Sequence, residues 1–152
     1  MRTLVGRIVF ALVLATLLTS PLIGCAKRTS DRSLVFVEPA EAEQLLRGKR
    51  GVLGLGGESR GVWVDPRTRI DYIDGHIPGA LHIPFEDLRS EYARLEGYDV
   101  IIVYGDDYNS PVALAASKTL MELGFEDVRT LRGGLRIWQT TGNTIEQGGG
   151  ND

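Results

Sequence analysis

The chain has 152 residues, 43% hydrophobic and 24% charged, and a formal net charge of -3. That length supports one single-core domain after a leader is set aside, and not two. The acidic balance excludes the clustered Lys/Arg surface that nucleic acid requires, so no nucleic-acid partner is expected.

Residues 1–24 read as an export signal that is removed. Arg2 and Arg7 form a positive start, Ile8 to Leu18 is apolar apart from Thr16, and Thr19, Ser20 and Pro21 break the run. An apolar core of about 11 residues suits a signal peptide and falls short of the roughly 20 needed to span a bilayer. Removal takes away two arginines and no acids, which moves the net charge from -3 to -5. The only cysteine, Cys25, closes the run Leu22-Ile23-Gly24-Cys25. This run resembles the bacterial lipobox. The resemblance implies a diacylglyceryl thioether on Cys25, cleavage before it and acylation of the new N-terminus. At about 0.8 kcal/mol per buried CH₂, two or more acyl chains hold a small domain on a membrane where one does not. The membrane is then a partner through the N-terminal lipid. Ala26, in place of aspartate, implies the outer membrane, facing the periplasm, if the cell is Gram-negative. Residues 25–33 form a lipidated polar tether.

The folded part, 34–142, alternates strand-like and helix-like stretches, which predicts an α/β fold with a central, mainly parallel sheet flanked by helices. Leu34 to Val37 is a short β-rich run. Pro39 suits a helical first turn, Ala40 to Leu46 continues the helix, and Gly48 ends it. Gly51 to Leu55 and Val62 to Val64 are strand candidates around a glycine-rich stretch, 51–61, that fits a hairpin or loop insertion. Phe85 to Leu95 reads as an amphipathic helix. Val100 to Tyr104 is a continuous β-branched run closed by an aromatic, as a central parallel strand should be. A loop follows, Gly105-Asp106-Asp107-Tyr108-Asn109. Ser110 and Pro111 then start a helix that runs to Leu123 and stops at Gly124. Val128 to Leu131 supplies a last strand and Gly134 to Thr141 a last helix. Residues 143–152 are polar and glycine-rich and are expected to form a flexible tail.

In open α/β sheets ligands bind beyond the carboxyl ends of strands, which places the candidate site at loop 105–110. Its amides precede a helix N-terminus, where the dipole favours an anion.

Three motifs carry a family resemblance. Gly75-His76-Ile77-Pro78-Gly79-Ala80-Leu81-His82-Ile83-Pro84 is similar to the GHIPGA-x-x-IP signature of rhodanese-like domains. Val64-Asp65-Pro66-Arg67-Thr68 resembles the family's D-V-R segment, with Pro66 as a departure. Leu131 to Trp138 is similar to its closing L-x-G-G-x-x-x-W motif. The resemblance implies a sulfurtransferase fold in which a cysteine opens the loop after the central strand and carries sulfane sulfur as a persulfide. Related phosphatases use the same loop with cysteine and arginine.

Here Gly105 occupies the cysteine position and Ser110 the usual basic or serine position near the loop's end. Persulfide chemistry needs a thiolate, and glycine supplies none. Asp106 and Asp107 oppose anion binding at the helix N-terminus. With Asn109 and Ser110 they offer hard oxygen donors, but Asp and Asn are also the ordinary residues of a solvated turn, so no metal and no cofactor is assigned. A lipidated Cys25 cannot serve as the missing thiol. His76 is expected to be structural, His82 has no evident partner, and Asp65 with Arg67 is expected to form a polar network at its strand end. Trp63 and Trp138 are expected to pack. The expected function is binding or scaffolding of an envelope protein by a lipid-anchored, catalytically inactive domain. The alternative is sulfur handling that relies on a partner's cysteine.

Overall fold

A computed structural model of the chain describes residues 29–48 and 59–149. The leader, Cys25 and most of the glycine-rich stretch, including the strand predicted at 51–55, lie outside the described residues. Among those described, the elements are β1 (Phe36–Val37), α1 (Pro39–Leu46), β2 (Gly61–Asp65), α2 (Arg69–Asp74), β3 (Leu81–His82), α3 (Leu88–Glu91), β4 (Val100–Val103), α4 (Pro111–Glu122), β5 (Val128–Leu131) and α5 (Gly134–Thr140). The strands form one sheet in the order β1-β5-β4-β2-β3. Every pairing in it is parallel. None of these helices is long and apolar enough to cross a membrane.

The sheet is buried on both faces, and this explains the unbroken apolar run of β4. Successive side chains alternate sides. Val100 and Ile102 join Trp63, Leu131, Leu135 and Trp138 in one cluster. Ile101 and Val103 join Val62, Val64, Ala113, Ala116 and Leu120 in the other. α5 therefore covers one face and α4 the opposite one. α4 begins with Pro111 in its first turn and is followed by Gly124 at φ +101, the left-handed geometry that closes a helix without a Cβ penalty.

Three differences from the sequence reading stand out. The helix predicted over 85–95 divides into α3 and a 3-10 turn, Tyr92–Leu95. α2 and β3 were not anticipated: α2 is a six-residue helix capped by Thr68, whose hydroxyl accepts from the Asp71 amide, and β3 has only two residues. The polar stretch after Thr141, expected to be a flexible tail, is docked over 144–148. Trp138 Nε1 donates to the Thr144 carbonyl at 2.7 Å, Gln147 Nε2 to the Asp74 carbonyl at 3.0 Å, and the Gly148 amide to the Ile73 carbonyl at 2.8 Å. Ile145 packs on the cluster around Trp138. One apolar anchor and a series of backbone bonds hold the segment despite its polar composition. Gly48 and Ser59, which flank residues 49–58, lie side by side. A Cβ on Gly48 would stand 2.6 Å from the Ser59 carbonyl oxygen.

Candidate functional site

Loop 105–110 leaves the carboxyl end of β4 and enters α4. Gly105, Asp106, Asp107, Tyr108, Asn109 and Ser110 thus sit together at the strand-end position. Gly105 and Ser110 are buried, whereas Asp106, Tyr108 and Asn109 are exposed. Asp107 accepts a bond from the Asn109 amide at 3.0 Å, a local turn.

The space around Gly105 is already occupied. A Cβ built on it would run into the Ser110 Oγ and Cβ and stand 3.1 Å from the Ala113 Cβ. Ser110 makes no side-chain capping bond to α4. Its hydroxyl is turned instead into the volume that a side chain at 105 would use.

The loop's carbonyls rest on the start of α5. The Leu135 amide donates to the Gly105 carbonyl at 2.8 Å and the Arg136 amide to the Asp106 carbonyl at 2.9 Å. Those carbonyls satisfy N–H groups that a helix N-terminus leaves without an intrahelical partner. The approach is close enough to require glycine. A Cβ on Gly134, at φ +55, would collide with the Gly105 carbonyl, and one on Gly133, at φ +73, would lie 3.1 Å from the Tyr108 ring. The paired glycines of the closing motif are thus the seat of the loop.

Asp65 and Arg67 form the polar network expected at the end of β2, and it extends further than the sequence suggests. Both are buried. Arg67 Nη2 donates to Asp65 Oδ2 at 2.6 Å and to the Gly75 carbonyl at 2.7 Å, while Nε donates to Asp65 Oδ1 at 3.0 Å. Nη1 reaches Asp106 Oδ1 at 3.0 Å. Burial alone would lower the Arg67 pKa, but hydrogen bonding and attraction from Asp65, helped by Asp106, hold it above the ordinary value. Asp106 is therefore tied to a buried cation, and Asp107 faces Arg136 at 3.7 Å. The repulsion expected from two free carboxylates is reduced by these neighbours. The D-x-R spacing signals the first pair. Nothing in the linear sequence points Arg67 at a loop 39 residues later.

Tyr104 connects the loop to the signature segment. Its hydroxyl accepts from the Ile77 amide at 3.1 Å. Its pKa is pushed far up, first by burial and then by the neighbouring Asp65 carboxylate. Trp63 and Trp138 pack edge to face with centroids 5.2 Å apart. Both are buried. His82, for which no partner was evident, donates from Nε2 to the Arg67 carbonyl at 3.0 Å. Tyr72 lies between two imidazoles, 3.8 Å from the His76 ring and 4.5 Å from His82.

A parallel five-stranded sheet with helices on both faces and a strand-end loop seated on a diglycine helix start defines a rhodanese-type α/β domain. Residues 39–141 match the model of the Rhodanese-like domain, and the chain belongs to that family. The thiosulfate sulfurtransferase GlpE of Pseudomonas fluorescens is 32% identical over 84 residues, covering 55% of this chain and 75% of GlpE. An HTH-type transcriptional regulator of Mycobacterium tuberculosis is 33% identical over 107 residues, covering 70% of this chain and 43% of the regulator. A Bacillus halodurans protein of known crystal structure superposes with a TM-score of 0.61 at 26% identity, covering 76% of this chain and 79% of that one. The chain spans only 40% of the length of a second Mycobacterium tuberculosis relative, named as the thiosulfate sulfurtransferase SseB, at 31% identity over 113 residues, and 43% of the regulator.

Proposed function

We propose that this is a lipid-anchored, catalytically inactive rhodanese-like domain that binds or scaffolds a protein partner at the cell envelope. The observation that carries the reading is Gly105. It opens the strand-end loop, where the family places its persulfide-forming cysteine, and the Ser110 side chain fills the volume beside it. A thiolate is the required nucleophile, and the only cysteine is Cys25. The leader and lipobox-like run support attachment of that sulfur to lipid, which removes it from redox chemistry. The exposed Tyr108 side chain and the paired Asp106 and Asp107 leave a loop surface suited to contact with a protein rather than to capture of a small anion.

The full chain, purified in detergent, is expected to show no thiosulfate:cyanide sulfurtransferase turnover. Turnover above a heat-killed control overturns the reading. A second reading follows from the name of GlpE, a thiosulfate sulfurtransferase: the domain handles sulfur with a partner's cysteine. Mass spectrometry for persulfides on co-purifying proteins separates the two. The mass of the N-terminal peptide tests the anchor.

A further inference from the structure

On the other side of the signature segment lies a cavity of about 330 Å³, lined by Tyr72, His76, Gly79, Ala80, Leu81 and Glu146 among others. That volume is at the lower end of small-molecule sites. His76 is only 2% exposed. Its Nδ1 lies 2.9 Å from the Tyr72 carbonyl oxygen, which can only accept, so Nδ1 carries the proton. In the neutral ring Nε2 is then a bare acceptor. Glu146 Oε2 faces it at 3.7 Å, which is too long for a hydrogen bond.

Two acceptors thus converge at the wall of one cavity, and no donor is seen between them among the described residues. Their placement is fixed by the backbone. His76 and Glu146 form an antiparallel bridge in which the His76 amide donates to the Glu146 carbonyl and the Glu146 amide to the His76 carbonyl, each at 2.9 Å. The imidazole is further clamped by the Tyr72 stack.

We propose that this cavity is a binding site for a primary ammonium group, of the kind carried by alkylamines and lysine-like side chains. One nitrogen about 2.9 Å from both acceptors would subtend roughly 80° between them, so each N–H bond departs from linearity by only about 15°, well within normal geometry. The Glu146 carboxylate selects a cation over a neutral donor, and a charge-assisted bond is the stronger kind. Ala80 and Leu81 supply an apolar wall for a short alkyl chain. The Arg69 guanidinium lies near Gly149 at the rim.

The test uses the full chain in detergent with ¹⁵N-labelled histidine and n-butylammonium as the probe. Without amine at neutral pH, His76 is expected to show a protonated Nδ1 and a bare Nε2. Amine should shift the Nε2 resonance saturably, and n-butyltrimethylammonium, which has the chain and charge but no N–H, should not. Glu146→Gln, at an exposed side chain whose loss leaves the backbone bridge intact, should weaken binding by about tenfold. Three results overturn the proposal: a doubly protonated His76 in the amine-free protein, no shift at tens of millimolar amine, or equal binding of the trimethyl compound.

Discussion

Gly105 and Ser110 share a volume that one side chain would fill, so under the proposed reading two residues, not one, separate this loop from a working nucleophile. A cysteine introduced at 105 alone meets the Ser110 Cβ, which the backbone holds in place. Gly105→Cys is therefore expected to lose about 1–3 kcal/mol of stability through overpacking and to form no persulfide. Gly105→Cys with Ser110→Gly should recover most of that stability. It should also take sulfur from thiosulfate: the thiolate attacks the outer sulfur, a new S–S bond forms, and sulfite leaves with the electron pair of the broken bond. The gain of one sulfur atom in the peptide mass is the readout, and a persulfide on the single variant contradicts the packing argument. Arg67 offers a contrast of magnitudes. Arg67→Met leaves the Asp65 carboxylate buried and unpaired and should cost about 3–5 kcal/mol in urea unfolding, whereas Asp106→Asn should cost less than about 1 because Asp106 is solvated. Tyr104 predicts an alkaline limit. The unfolded phenol ionises near pH 10 and the folded one well above it, so above about pH 10 the unfolded state holds fewer protons and stability falls as pH rises. Tyr104→Phe should flatten that decline in unfolding measured between neutral and alkaline pH. The sequence displayed a glycine where the family resemblance implies a cysteine, and it displayed the Asp65–Arg67 pair directly. It did not display the packing of Ser110 against Gly105 or the reach of Arg67 to Asp106, because both are contacts made by folding and neither leaves a spacing rule behind.

The elements that were legible are those whose pattern is local. The β-branched run of β4 and the proline start and glycine stop of α4 each carry their own signal within a few residues. α2, β3 and the docked segment 144–148 do not. Six and two residues are too few for a periodicity to register, and residues 144–148 are polar apart from Ile145. That segment is held by its partners: Trp138, Asp74, Ile73 and His76 each give or take a hydrogen bond with it. Ile145→Ser should accordingly destabilise the domain by about 1–2 kcal/mol. More specifically, it should speed hydrogen exchange at the Glu146 and Gly148 amides well before the amides of β4 are affected. Uniform acceleration across both sets contradicts a separately docked segment.

For the whole molecule the proposed anchor and the fold make a joint prediction. Cys25→Ser should move the protein from the membrane fraction to the soluble fraction, while the unfolding midpoint of the domain stays unchanged. A coupled loss of stability contradicts an anchor that is independent of the core. The sheet order has another consequence, for the time course of synthesis. Among the described residues β1, the first strand, has its only strand partner in β5, with Phe36 beside Thr130 and Val37 beside Leu131. No nascent chain that lacks β5, Val128–Leu131, can complete this sheet, and such non-local pairing is slow to form. On the proposed reading the chain is exported, and late closure of the sheet would keep it unfolded for that passage. The order of the strands itself delays closure until β5 has been made.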